Sequence, residues 1–296
     1  MKKGMRLSRE DWIFDIIVNT LGLVIVVMML YPLIFVLSAS FSDPDLVLRG
    51  NVVLLPKGLT LVPYEMVFAN AKIWQGYRNT IFYTVVGTFI NLFMTVLAAY
   101  PLSRKDMPYR RILTLVIVFT MYFNGGLIPT YLLVRSLGMY NTVWALMIPA
   151  AVSTYNLIVA RTFFERNIPE ELYDSAKLDG ASNIRMLISI VLPLSSAILA
   201  VLVLYYGVGH WNSYFSALVY LRNERLFPLQ IVLRDILILG NTEQLGSNDV
   251  GMGDKIKMAE AIKYSVIVVS SVPVLLLYPF LQKYFVKGVM IGAIKG

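Results

Sequence analysis

The stretch YDSAKLDGASNIRMLISIVLP, residues Tyr173 to Pro193, holds two aspartates, a lysine, an arginine and a glycine, then returns abruptly to apolar sequence. Its surroundings decide how it is read. The chain has 296 residues, 57% of them hydrophobic and 15% charged, where a soluble domain carries about 25% charged residues. The charges gather between long uncharged runs: Ile16–Phe41, Asn79–Ser103, Ile112–Val134, Ser136–Ala160, Met186–Leu221 and Tyr264–Gln282. A bilayer-spanning helix needs roughly 20 mostly apolar residues, so all but one of these runs supply one span each. Met186–Leu221 is too long for one span and short for two. It reads as a span followed by a membrane-surface segment with Tyr205, Tyr206, His210, Trp211 and Tyr214, aromatic as membrane interfaces are. The expectation is an all-α integral membrane chain forming a single domain over residues 1–296. Its six transmembrane helices fall near 14–40, 79–103, 112–134, 139–162, 186–208 and 262–283. Core helices of a large soluble protein are the alternative, and those seldom run this long without charge.

Charge placement gives a topology. The basic N-terminus (Lys2, Lys3, Arg6, Arg9) is followed by an apolar run longer than the 7–15-residue core of a secretory signal, with Glu10, Asp11 and Asp15 ahead of it. The first span is therefore expected to be retained. Six spans put both termini on one side. With the termini inside, inner segments carry fifteen of the 26 Lys and Arg residues, so both termini are expected in the cytoplasm. The net charge of +8 then reflects topology rather than nucleic-acid affinity. Without cysteine there are no disulfides or thiolate chemistry, and one histidine excludes a multi-histidine metal site. His210 reads as an interfacial polar residue and no metal ligands are assigned.

Between the spans, Ser42–Arg78 contains Pro44, Pro56, Gly58 and Pro63 and reads as turns with one short helix. Only a tight connection near Leu137–Tyr140 separates spans 3 and 4. Inside span 3, NGGLIPT (Asn124–Thr130) weakens a helix, and in lipid such a break survives only where protein or a cavity covers the freed backbone. It marks either a pathway-lining helix or a packing kink. A second long outer segment contains GNTEQLGSNDVGMG, Gly240–Gly253, read as a flexible loop. Ionisable groups are nearly absent from the spans, against an ion-coupled carrier or a membrane enzyme. The chain also lacks a G-x-x-x-x-G-K-[ST] phosphate loop, so any ATP that powers it binds elsewhere.

The opening stretch lies between spans 4 and 5 in the longest inner loop, where a helix is expected over about 168–180. Asn167 and Glu170 have N-x-x-E capping spacing, with Pro169 in the first turn. Ile168, Leu172 and Ala176 recur every four residues as a narrow apolar face. Glu170, Glu171 and Asp174 suit the positive end of the helix dipole, and Gly180 supplies the stop. Small residues at 175, 176, 180 and 181 allow close approach to another surface. A helix this acidic is disfavoured on anionic lipid headgroups, which leaves a protein partner.

Asp174-Ser175-Ala176, three residues, Gly180, nine residues, Ile190, one residue, then Leu192-Pro193 resembles the E-A-A-x3-G-x9-I-x-L-P signature of binding-protein-dependent ABC importer permeases. Asp174 stands for the usual Glu and Ser175 for the first Ala. LDGA, Leu178–Ala181, resembles the carbohydrate branch. GGLIPTYLL and the closing LLLYPFLQKYFVKGVMIGAIKG extend the likeness over nearly the whole chain, to the maltose-transporter second-subunit type and its complex-oligosaccharide, uronate-handling subgroup.

The resemblance implies a type I importer permease fold in a bacterial cytoplasmic membrane, non-catalytic and without a cofactor of its own. ATP and Mg would be bound by two ATP-binding-cassette subunits. Further implied partners are a second homologous permease, an extracytoplasmic solute-binding protein, membrane lipid and a carbohydrate substrate, with no nucleic acid. It makes Glu170, Glu171, Leu172, Asp174, Ser175, Ala176, Leu178, Asp179, Gly180 and Ala181 the coupling helix and its turn, docked on the ATPase. It gives the loop with Gly240, Asn241, Gly246, Gly251 and Gly253 to the binding protein. Sugar sites are aromatic platforms with polar rims, so Tyr122, Trp144, Tyr155, Tyr205, Tyr206 and Trp211 are pathway candidates, the alternative for each being packing or an interface belt. An ion-coupled secondary carrier is the competing reading.

Overall fold

The computed structural model describes residues 9–237, 262–276 and 279. These residues are helical, without strands: α1 Arg9–Ser40, α2 Pro44–Leu48, α3 Val62–Ala69, α4 Ala71–Ser103, α5 Arg110–Tyr122, α6 Leu127–Ser136, α7 Trp144–Met147 and α8 Thr154–Asn167. There follow α9 Glu170–Leu178, α10 Asn183–Met186, a π-helical turn Leu187–Val191, α11 Leu192–Leu194, α12 Ser196–Trp211, α13 Phe215–Tyr220 and α14 Leu229–Leu237, then α15 Ile262–Leu276. The chain divides into two compact units, 1–70 with 235–271 and 71–234 with 272–296.

In the first unit α1 is free of charge from Ile16 onward, and only Ser38, Ala39 and Ser40 are buried in it. A solvent of lipid accounts for that surface, since the hydrophobic effect does not drive apolar side chains out of hydrocarbon. The C-terminal end of α1 is where it meets the rest of the unit. Ser38 Oγ donates to the Leu54 carbonyl at 2.6 Å, Ser42 Oγ to the Ser38 carbonyl at 2.6 Å, and the Ser40 hydroxyl pairs with the Tyr64 hydroxyl at 2.8 Å. These short hydroxyls tie the irregular 43–61 segment, expected as turns, to a helix end whose last carbonyls lack intrahelical donors. Phe35 meets Tyr264 edge to face at 5.7 Å, and Ser265 Oγ donates to the Ser40 carbonyl.

The second unit is organised on α4. This helix begins eight residues before the span expected at 79, continuing from the outer segment into the apolar run without a break. Its buried stripe is small and polar: Gly76, Thr80, Tyr83, Gly87, Asn91, Thr95 and Ala99. Spacings of three and four put these residues on one face. In a membrane, small residues bring backbones close and polar ones bond across helices, which inverts the soluble pattern. α8 and α12 are the principal neighbours of this helix. Thr95 Oγ1 pairs with Tyr206 Oη at 2.7 Å, Thr80 Oγ1 accepts from the Leu229 amide at 2.8 Å, and Asn91 Oδ1 lies 2.6 Å from His210 Nε2. His210 is buried, 7% exposed, instead of interfacial. α12 runs unbroken through Trp211, so its aromatic end packs inside the unit and the expected surface segment begins later.

Three expected spans are broken. α5 and α6 meet at 111°, a turn held by Gly126 at φ +81° and by Asn124 Oδ1 accepting from the Gly126 amide. Span 4 is helical only over α7 and α8; between them residues 148–153 run past Pro149 as turns and irregular backbone. α4 and α12 satisfy the freed groups, as hydrocarbon requires. Asn91 Nδ2 donates to the Ala150 carbonyl, and the Ser153 amide donates to Tyr206 Oη at 3.2 Å. Span 5 turns by 84° at Ser195. Pro193 has no amide hydrogen and its ring crowds the carbonyl four residues back, and the π-helical turn at Leu187–Val191 takes up that misfit. α1 and α4 are each long and apolar enough to cross a bilayer, and the number reaches four if each bent pair is one span.

Gly87 has no room for a side chain, since a Cβ there would lie 2.5 Å from the His210 ring. Gly87→Leu is expected to force α4 from α12 at a cost of about 1–3 kcal/mol, lowering the melting temperature of the purified protein in detergent. An unchanged melting temperature would show that the two helices do not meet there.

Candidate functional site

At the far end of α4 from Gly76, the chain turns through Arg104-Lys105-Asp106 and lies against α9. The helix α9 starts with two acids, Glu170 and Glu171, and ends with Lys177, charges that oppose its dipole at both ends. Its N-terminus differs from the capping box expected of Asn167 and Glu170. Pro169 occupies the cap position without a side-chain bond. Asn167 Nδ2 donates instead to the Phe163 carbonyl, closing the last turn of α8, and Glu170 pairs with Lys105.

The C-terminus is as the glycine suggested. Gly180 has φ +71°, its amide donates to the Lys177 carbonyl at 3.0 Å, and the Ala181 amide donates to the Ala176 carbonyl at 2.9 Å. This pair of bonds is the Schellman arrangement, with Ala181 packed into the same apolar cluster as Ala176. A left-handed residue at this place is what allows the chain to reverse towards Asn183.

One face of α9 is buried by Tyr173 and Ala176, beside Ile168. The expected Ile168–Leu172–Ala176 face is thus shifted: Leu172 is 39% exposed and Tyr173 takes its place. The cause is a partner distant in sequence. The Arg104 guanidinium lies 3.8 Å from the centre of the Tyr173 ring, on which Tyr100 also closes at 6.5 Å. Arg104 Nη2 and Lys177 Nζ both donate to Asp106 Oδ2, at 2.9 and 2.8 Å. Asp106 thereby fastens α9 to the end of α4. The opposite face of α9 is open. Glu171, Asp174 and Ser175 are exposed, Leu178 is 90% exposed, and Asp179 and Gly180 follow it into solvent. Ser175 Oγ turns back to the Glu171 carbonyl. Beside the helix lies a cleft of about 210 Å³ with Arg104, Asp106, Glu170, Asp174 and Lys177 in its wall.

Arg104, Lys105 and Asp106 were not singled out in sequence, although the dense SRKD charge cluster at the end of a span was a visible signal. Of the aromatic candidates, the structure brings Tyr205 and Tyr206 together at one cavity beside the 148–153 break. Tyr206 and Trp211 are both 7% exposed, while Tyr122, Trp144 and Tyr155 are 74%, 49% and 54% exposed and are not in the lining of that cavity. Gly240, Asn241, Gly246, Gly251 and Gly253 lie outside the described residues. Among the described residues no cluster of acidic or histidine side chains can hold a metal ion.

The hydrogen bond from Arg104, then that from Lys177, hold the Asp106 carboxyl well below the usual carboxylate range. A depressed folded-state pKa contributes stability that is present above the unfolded value of about 3.9 and lost as pH falls through the folded one. The clamp is therefore intact throughout pH 5–8. Asp106→Asn is expected to quicken amide exchange across 170–178 while leaving α4 and α12 unchanged. Equal exchange in the two proteins would show that the ion pairs do not hold α9 in place.

No family profile matches the chain. It is 39% identical over 287 residues to the polygalacturonan/rhamnogalacturonan transport system permease protein YtcP of Bacillus subtilis (strain 168), covering 97% of this chain and 100% of that one. It is 40% identical over 265 residues to protein LplC of the same organism, covering 90% and 89%. A chain in the crystal structure of a bacterial ABC transporter involved in the import of the acidic polysaccharide alginate superposes with a TM-score of 0.87. That chain is 34% identical, and the match covers 95% of this chain and 100% of that one. An all-helical membrane chain with this likeness along nearly its whole length belongs to the permeases of ABC sugar importers.

Proposed function

We propose that this chain is one half of the membrane gate of an ATP-driven, binding-protein-dependent importer, and that α9 is the lever by which the ATPases move it. The observation that carries the reading is the two-sidedness of α9. One face is bolted to the end of α4 through Tyr173, Arg104 and Asp106, and the other presents Leu178 to solvent at 90% exposure beside a glycine turn. A side chain that apolar and exposed at a helix tip suits a protein partner, since interface anchors become buried on docking. Six spans with both termini in the cytoplasm place this tip on the ATPase side. α1 and α4, the two bent pairs if each is one span, and the shorter apolar α15 are in keeping with such a count.

In this reading a second, homologous permease completes the gate, and each of two ATPase subunits binds ATP and Mg and engages one coupling helix. The permease itself is non-catalytic. Closure of the ATPases draws the coupling helices together, and the clamp at Asp106 passes that displacement to α4, whose packing on α8 and α12 carries it into the spans. The loop around Gly240–Gly253 is assigned to the solute-binding protein on the outer face. The cargo is an oligosaccharide or polysaccharide fragment, uronate-rich as the names of the relatives suggest. An ATP-driven change of state requires that the ATPases bind the two conformations of the gate with different affinity.

Two substitutions test the lever. Leu178→Asn alters a fully exposed residue, so stability is expected to stay within about 0.5 kcal/mol. Burial of such a side chain in an interface contributes about 1.5–3 kcal/mol, so ATPase subunits should dock about 10- to 100-fold more weakly in a pull-down titration. Unaltered docking would remove Leu178 from the interface. At Gly180 a Cβ has open space around it but the backbone is left-handed, which costs a non-glycine residue about 1–2 kcal/mol. Gly180→Val should uncouple ATP hydrolysis from uptake, and Gly180→Asn, which tolerates this conformation, should retain more of both. Equal behaviour of the two variants would separate the turn from coupling.

A further inference from the structure

The break at 148–153 and the C-terminal half of α12 border a cavity of about 440 Å³, within the range of roughly 300–1,000 Å³ that small-molecule sites occupy. Its lining contains amides, hydroxyls, aromatic rings and His210, and no Lys, Arg, Asp or Glu among the described residues.

The polar groups fall into two sets. Asn91, His210 and Tyr206 are engaged with one another, with Thr95 and with the broken backbone, and form the scaffold. The side chains of Asn156 and Ser213 stand apart from that scaffold. Asn156 is 6% exposed and lines the cavity, its backbone amide donating to Ser153 Oγ at 3.4 Å. Ser213 Oγ is buried and unpaired. Removing an amide or hydroxyl from water without a partner costs several kcal/mol in an apolar medium, and polar residues in membrane segments face the bundle interior or a watery cavity. The unpaired Ser213 hydroxyl, with Asn156 lining the same cavity, therefore points to something that hydrogen-bonds there. Tyr205 stands on the same wall, 46% exposed, and offers an aromatic face.

Uncharged donors and acceptors beside an aromatic ring match the alternating hydroxyl and C–H surface of a pyranose or furanose, and they offer no countercharge to a carboxylate. We infer that this cavity is a sugar subsite carried by this chain itself, with Asn156 and Ser213 bonding the ring hydroxyls of the passing saccharide and Tyr205 packing on its apolar face. The carboxylates of an acidic saccharide are held elsewhere along the path. The inference rests on the reading of the chain as a saccharide gate.

The test uses the complete transporter with its binding protein in liposomes, with trigalacturonate and arabinotriose as probes. Ser213→Ala removes a buried hydroxyl that has no partner in the protein, so it leaves the melting temperature unchanged or higher. Asn156→Leu is the second variant. Each is expected to keep ATPase stimulation by loaded binding protein within about twofold. Uptake per ATP hydrolysed should fall about tenfold, the factor of one hydrogen bond to the substrate. Unchanged uptake in both variants would overturn the subsite and leave the cavity to water. Uptake falling together with melting temperature in both would overturn it as well, by making the residues structural. If the wild-type complex imports neither saccharide, the reading of the chain as a saccharide gate falls, and the subsite with it.

Discussion

Asp106 accepts from Arg104 and from Lys177 on the same carboxylate oxygen, and that shared oxygen is the joint on which the functional account turns. Arg104 ends the longest helix of the second unit and Lys177 belongs to the short one beside it. Without the joint, α9 would keep only Tyr173 and Ala176 as buried anchors. Half-exposed ion pairs taken singly contribute little, about 0–1 kcal/mol each. What they add here is direction: two cations on one carboxylate, with one of them also stacked on Tyr173, fix the angle of α9 as well as its contact. A lever needs a fixed angle more than a strong attachment.

The other governing constraint is the bilayer. Hydrocarbon tolerates a broken helix only where its carbonyls and amides find partners, and the partners here come from α4 and α12. Asn91 and Tyr206 secure the 148–153 segment between α7 and α8, and His210 in turn orients Asn91. The 148–153 break therefore sits beside α4, whose buried face is small and polar. This arrangement also makes a cavity, because a segment that leaves the helical path cannot fill the space a straight helix would.

Much of α9 was legible in sequence because its determinants are local. Gly180 stops the helix through its own backbone angles, and the acids at 170 and 171 answer the dipole of their own turn. The N-terminal cap was misread because Asn167 had a nearer acceptor in the preceding helix, at Phe163. The choice of Tyr173 over Leu172 as the buried residue was not readable, since it depends on Arg104 and Tyr100, some seventy positions away. Uninterrupted apolar runs suggested six membrane segments but carried no sign of their continuity. Charge-free length says nothing of a 111° or 84° turn, although Gly125-Gly126 and Pro193 mark these two and Pro149 marks the 148–153 break. The six-span count and the side on which α9 lies remain part of the proposal, supported by the likeness to importer permeases along the chain.

Runs nearly free of ionisable groups, and the ion-paired α9 at one end, fit the proposed reading of a gate with no energy source of its own. Reconstituting the permease pair in liposomes with an inward saccharide concentration raised above the outer one, with and without the ATPase subunits, measures this directly. The account predicts uphill accumulation only when the ATPases, ATP and the loaded binding protein are all present. Uphill accumulation driven by a proton or sodium gradient, with no nucleotide-hydrolysing subunit in the vesicle, would contradict it.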